Sequence, residues 1–220
     1  LDHYHARYGY TYPWGSYDQI FVPEYNLGAM ENPGCVTFTE SYLSRDTPSF
    51  ALRQKRANTI LHEMCHMWFG DLVTPAWWDN LWLKESFAEN QGTTSAAQAT
   101  VYTGEWASFA IGRKAWAYAQ DQYPTTHPIV ADIPDIPAAT NNFDGITYAK
   151  GASVLKQLVA WVGEDAFYQG VRLYFQRHAN GATNLDDLLA ALEEASGYDL
   201  ASWKDAWLLT TGPSKLSVKS

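Results

Sequence analysis

The chain has 220 residues, with 24 acidic against 15 basic side chains, a formal net charge of −9, 46% apolar and 18% charged residues. This composition excludes an intrinsically disordered chain. The only short basic run, Arg53, Lys55 and Arg56, reads as a solvated helix face, which argues against nucleic acid as a partner. Cys35 and Cys65 are too few for a disulfide framework, and no apolar run approaches the length of a membrane segment.

In chain order, residues 1–50 are rich in Tyr, Gly and Pro and carry short β-type stretches. Gln19–Val22 reads as a strand that stops at Pro23, and Cys35–Thr39 as a second, alternating and β-branched one. Between them the chain must turn, with Pro33-Gly34 as the signal. From Pro48 the character becomes helical. Ser49 is placed to cap a long helix running to Trp68, with Gly70 ending it. A second helix is expected from Asp79 or Asn80 to about Ala97, and a third over Glu105–Gln120. Pro124–Pro137 reads as extended or loop. Helices follow over Tyr148–Val162, Asp165–His178, Leu185–Ala195 and Ala201–Leu209, punctuated by Gly163, Gly181 and Gly197. The acids after Asn184 form a favourable helix start. A small β part followed by helices predicts a helix-dominated α+β fold, with residues 1–220 as one domain, β-rich over 1–50 and mainly helical over 51–220.

The strongest local signal is His62-Glu63-Met64-Cys65-His66 within the long helix. Residues four apart share a helix face, so both imidazoles can address one ion. Imidazole suits Zn²⁺, at about 2.0–2.1 Å. Glu63 is angled off that face and suits a water rather than the ion. A catalytic zinc needs a third protein ligand and an open position. Glu85, eighteen residues beyond His66, falls early in the second helix, and Gly70 and Pro75 let the chain turn back. An isolated acid between Leu81-Trp82-Leu83 and Phe87-Ala88 calls for a partner, because a buried carboxylate is costly alone. The bland readings are incidental histidines and a solvated acid.

His62, Glu63, His66 and Glu85 at this spacing resemble the gluzincin metallopeptidases. The words Trp77-Trp78-Asp79-Asn80-Leu81-Trp82-Leu83-Lys84-Glu85-Ser86-Phe87-Ala88 resemble the aminopeptidase N family in particular. The resemblance implies a thermolysin-like zinc peptidase domain. One Zn²⁺ would be held by His62, His66 and Glu85, with Glu63 as general base. Gly28-Ala29-Met30-Glu31-Asn32, by itself a tight turn with one acid, resembles the family's exopeptidase signature. That implies an edge strand along which substrate lies, with Glu31 binding the substrate α-amino group. A carboxylate there fixes a free ammonium by a charge-assisted hydrogen bond, and Gly28 lets the substrate backbone approach. Phe143–Gly151 resembles the family's tyrosine-bearing stretch, which makes Tyr148 a phenol donor to the oxyanion; by itself Tyr148 reads as a core residue at a helix start.

Around these, Asp71 and Asp79 are candidates to orient ligand imidazoles and Glu89, four after Glu85, to support it, although the favoured reading of each is a solvated acid; His127 reads as structural. Cys65 stands where many relatives have a small or apolar residue; it reads either as helix packing or as a thiol that could make the site oxidant-sensitive. Lys84 stands where many relatives have Asn, and no role is attached to it. The ten Trp suggest aromatic cleft walls. The expected activity is zinc-dependent hydrolysis of the N-terminal peptide bond of peptides with a free N-terminus. A related lipid-epoxide opening and a non-enzymatic peptide-binding module are the alternatives. By the same resemblance the parent protein is expected to carry additional N- and C-terminal domains and to be cytoplasmic and bacterial.

Overall fold

A computed structural model describes residues 1–218. The chain opens with helix α1 (Asp2–Tyr8) and continues through β1 (Asp18–Val22), β2 (Ala29–Met30) and β3 (Cys35–Thr39) to the long helix α2 (Phe50–His66). Strand β4 (Val73–Pro75) leads to α3 (Trp82–Ala99), followed by α4 (Glu105–Ile111), α5 (Arg113–Gln120) and α6 (Ile136–Asn141). A π-type turn over Ile146–Lys150 runs directly into α7 (Gly151–Val162), then α8 (Glu164–His178), β5 (Gly181–Thr183), α9 (Leu185–Ser196) and α10 (Ala201–Trp207). The expected helix-dominated α+β class is what forms.

The first sheet has the order β1-β3-β2, with β1 parallel and β2 antiparallel to β3. Val36 and Phe38 point into the core while their neighbours do not, which is the period-two pattern of a half-buried strand. β2 is therefore an edge, its one paired side occupied by β3. A second, parallel pair joins β4 to β5; the sequence reading missed it because each strand is only three residues long.

α2 begins where Ser49 Oγ accepts from the Leu52 amide at 3.2 Å, satisfying one of the free N–H groups of the first turn. It ends at His66, short of the expected Trp68, and Gly70 at φ +129° turns the chain away. α3 is buried on nearly every face from Trp82 to Ala96, the pattern of a central helix. Its polar side chains are matched one by one: Ser86 Oγ donates to the Thr147 carbonyl at 2.6 Å and Asn90 Nδ2 to the Ala152 carbonyl at 2.9 Å, while Tyr168 donates to Gln91 at 2.9 Å. α2 packs along one side of α3, and the π-turn and α7 along another.

Three departures from the sequence reading have physical causes. α1 forms in a stretch read as β-rich because Tyr4 and Tyr8, one turn apart, stack on each other and pack against Trp68; burial outweighs their weak helix propensity. The expected helix over Glu105–Gln120 breaks at Gly112 into α4 and α5, where the residue with the greatest backbone freedom lets the axis change direction. α6 arises inside the stretch read as loop: Asp135 caps it through the Ala138 amide at 2.8 Å, and Pro137 sits in its first turn, where its missing N–H costs nothing. Among the described residues no helix is long and apolar enough to cross a membrane.

Candidate active site

His62 and His66 occupy the C-terminal part of α2, and Glu85 the first turn of α3. The two helices approach to backbone contact beside them: a Cβ on Gly92 would stand 2.9 Å from the His62 amide nitrogen. This brings His62 Nε2 to 3.2 Å from His66 Nε2, and Glu85 Oε2 to 3.5 and 3.4 Å from the two imidazoles. Tetrahedral zinc with bonds of about 2.0–2.1 Å separates its ligands by roughly 3.3–3.4 Å, so the three atoms fit one ion. His66 Nδ1 lies 3.0 Å from the Phe69 carbonyl, which can only accept. Nδ1 therefore carries the proton and Nε2 keeps its lone pair for a metal.

The electrostatics agree with a cation site. Burial opposes the charged form of His66, yet the Glu85 and Glu31 carboxylates raise it to about 9. Burial also opposes ionisation of Glu85, but His66 and Lys84 hold its carboxyl well below the usual range. In the absence of a divalent ion, the buried acids thus hold a proton on an imidazole. Glu63, beside His62 and 6% exposed, is pushed up by burial against the pull of both histidines. Its carboxylate, that of Glu31 and a ring nitrogen of His66 offer atoms within 4.8 Å of one another.

Glu31 follows β2 and faces the same cleft, a cavity of about 620 Å³ that also takes in Gly28, Ala29, Met30, the His62–Glu85 group and Tyr148. Burial raises the Glu31 carboxyl, but His66 and Lys84 outweigh it and leave it below its ordinary value. Asn32, the last residue of the same pentapeptide, turns away: its Nδ2 donates to Thr37 Oγ1 at 3.3 Å. The Tyr148 ring lies nearly parallel to His62 with centroids 6.0 Å apart. Burial, with Glu85 and Glu31 nearby, keeps its phenol protonated far above the usual range. Asp144 sets this turn: its Oδ1 accepts from the Ile146 and Thr147 amides at 2.9 and 3.2 Å, and its Oδ2 pairs with His127 Nε2 at 3.0 Å. His127 thus has the structural place expected of it.

Several expectations are corrected. Asp71 and Asp79 do not hold the imidazoles: the Phe69 carbonyl takes His66 Nδ1, and Asp79 accepts from Asn80 Nδ2 at 2.6 Å. Among the described residues Asp71 Oδ2 is buried with no hydrogen-bond partner, and burial lifts its carboxyl to about 7. Glu89 faces His62 rather than Glu85, with Oε2 3.7 Å from His62 Nδ1, and is gripped by Arg113 through two bonds of 2.7 and 2.8 Å. Cys65 is fully buried, its thiol pushed up to about 12 by burial. It points to Tyr8 at 3.3 Å, on the helix face away from the cleft, which favours helix packing over oxidant sensitivity as the reading of this thiol. Around the histidines the cleft's aromatic lining is Tyr42, Phe143 and Tyr148; the expected tryptophan walls stand in the adjoining pocket that shares Glu31 and Lys84, as Trp77 and Trp78, while Trp68, Trp82 and Trp203 are in the core. Arg113, Asp144 and the Phe69 carbonyl were not found from the sequence, because their roles depend on contacts across elements. Lys84 had one visible signal, its position next to Glu85.

The chain is 56% identical over 214 residues to an aminopeptidase N of Streptomyces lividans, an alignment covering 96% of this chain and 25% of that protein. It is 36% identical to an aminopeptidase N of Lactococcus lactis, over 96% of this chain and 25% of the relative, and 35% identical to aminopeptidase 2 of Candida albicans, over 96% and 23%. It spans about a quarter of the length of these curated relatives. The model of the peptidase family M1 domain matches residues 1–207, and the helices that carry the two histidines and Glu85 fall inside that match, so the chain belongs to the M1 family of peptidases.

Proposed function

We propose that this chain is the catalytic domain of a zinc aminopeptidase that hydrolyses the N-terminal peptide bond of peptides with a free α-amino group. The observation that carries this reading is the triangle of His62 Nε2, His66 Nε2 and Glu85 Oε2, with edges of 3.2–3.5 Å, in one cleft with the Glu31 carboxylate. The names of the relatives support it.

His62, His66 and Glu85 would hold the zinc. Bound there, zinc supplies Lewis acidity to the scissile carbonyl and to water. The peptide lies along the open edge of β2, in the manner of an added strand. Glu31, ionised, accepts hydrogen bonds from the α-ammonium, and a charge-assisted bond of this kind is about twice as strong as a neutral one. A carboxylate oxygen of Glu31 lies within 4.8 Å of a His66 ring nitrogen, so an α-amino group held there would bring the first peptide carbonyl to the metal ligands. Tyr148 keeps its proton and donates it as a hydrogen bond to the oxygen on which negative charge develops. Such a donor contributes roughly 10²–10³ in rate. Glu63 takes the proton of the attacking water and delivers it to the departing nitrogen. A carboxyl raised by burial is a better base than an exposed one.

The test compares a leucyl chromogenic amide with its N-acetylated form, in the presence of zinc and then of a chelator. The reading expects cleavage of the free amide alone, lost on chelation, and a fall in kcat of about 10²–10⁴ in Glu63→Gln at unchanged zinc content. Cleavage of both amides removes Glu31 as the amine anchor. Full turnover by Glu63→Gln removes it as the base.

A further inference from the structure

Lys84 is a charged side chain of the cleft that the mechanism above leaves without a task. Its Nζ lies 2.6 Å from Glu31 Oε1 and 3.2 Å from Glu85 Oε1. We propose that Lys84 is the positioning residue of the amine anchor: its ammonium ties one oxygen of Glu31 to one oxygen of Glu85 and so sets the distance from the α-amino group to the metal ligands. The inference rests on Glu31 and Glu85 having the roles proposed above.

The distribution of oxygens supports it. Glu85 turns Oε2 to the two imidazoles and Oε1 to Lys84. Glu31 gives Oε1 to Lys84, leaving Oε2 for a ligand. A single cation thus occupies one oxygen of each carboxylate and directs the other toward its own partner. A carboxylate has about four acceptor sites, so an ammonium on Oε1 does not exhaust Glu31.

The lysine is also built into place. Gly70 has φ +129°, and a Cβ there would stand 3.3 Å from Lys84 Cβ and 3.4 Å from Cδ. The lysine stem therefore runs over the bare backbone of the turn that ends α2. At its tip the ammonium lies 5.9 Å from the Phe143 ring centroid. Its side chain is 20% exposed, against 12% for Glu31 and 4% for Glu85. A long cationic side chain loses rotamer freedom on being held in this way, and the two charge-assisted contacts offset that loss. The consequence is a ruler: Glu31 sits on a loop after a two-residue edge strand, Glu85 on the central helix, and Lys84 joins them.

The experiment measures binding rather than turnover. The zinc-loaded protein, with whatever sequence natively flanks this chain, is titrated calorimetrically with the α-aminophosphonate analogue of leucine and with the same phosphonate lacking its amine. The affinity ratio of the two reports the amine anchor, and zinc content is measured alongside. Lys84→Met is expected to shrink the ratio at least about tenfold, the scale of one charged hydrogen bond, with little change for the amine-free ligand. Lys84→Gln, shorter and uncharged, reaches one carboxylate at most and is expected to fall between. Lys84→Arg, which can span both, keeps most of the ratio. An unchanged ratio in Lys84→Met overturns the proposal, and so does an enlarged one, which makes Lys84 a competitor of the substrate amine. If Lys84→Met fails to retain zinc, Lys84→Gln decides by the same criterion. Glu31→Gln separates the two levels. An intact ratio there defeats the anchor reading itself, whereas a collapsed ratio there with an intact one in Lys84→Met defeats only the positioning role.

Discussion

Replacing Gly92 by Ala tests whether the contact between α2 and α3 holds the three metal-site residues together. The added methyl would meet the His62 amide nitrogen at 2.9 Å and its Cα at 3.0 Å. Ordinary carbon contacts begin at about 3.5 Å, so the helices must part locally by roughly half an ångström. Overpacking of this kind costs about 1–3 kcal/mol, and the better helix propensity of Ala returns about 0.8–1.0 kcal/mol. The net destabilisation is then on the order of 0–2 kcal/mol, a drop in Tm of only a few degrees for a domain of this size. The metal site is far less tolerant. Its edges are 3.2–3.5 Å, and a workable site holds its bond lengths to about 0.2 Å. A shift of half an ångström between His62 on one helix and Glu85 on the other exceeds that tolerance, and zinc affinity should fall by about 10–100-fold, as when a ligand's orientation is lost. Competition with a chromogenic chelator measures it. Gly104→Ala is the control, since nothing lies within 4 Å of a Cβ there. If Gly92→Ala binds zinc as the parent does, the helix contact is not what sets the triangle.

Asp144→Ala removes the acceptor of the Ile146 and Thr147 amides and should cost about 1–2 kcal/mol, with a loss of kcat as Tyr148 shifts; an unchanged kcat would separate the turn from catalysis. The same carboxylate helps raise His127, whose burial works in the opposite direction. A raised folded-state value means that this contribution is fully present below about pH 6.5 and is lost as pH rises through the folded value. Denaturant melts should therefore show a smaller penalty for Asp144→Asn at pH 8.5 than at pH 6. Zinc uptake by the metal-free protein near pH 7.5 should release about one proton, because His66 is raised to about 9 without the metal; calorimetry in buffers of different ionisation enthalpy counts it, and zero release would contradict that protonation. In the native protein a thiol reagent should modify half-buried Cys35 well before Cys65, which is fully buried with its thiol pushed up to about 12; mass mapping after a short exposure decides.

Much of this protein is determined by the sequence alone. Helical spacing puts His62 and His66 on one face of α2 whatever surrounds them, and the Ser49 and Asn184 caps, with the glycines at Gly163 and Gly197, mark helix ends within a residue or two. These are local properties of the backbone and the first side-chain atoms, so they are legible without a fold. Other features were decided only by the tertiary structure. α1 exists because Tyr4 and Tyr8 find Trp68 some sixty residues away. Glu89 turns to His62 and Arg113 because α5 brings a guanidinium to it. His66 is oriented by a backbone carbonyl, which no side-chain pattern can announce. Lys84 reaches Glu31 because a bare glycine turn leaves a path for its stem. Each of these is a long-range pairing whose partners are chosen by packing, and packing depends on the positions of all the elements at once.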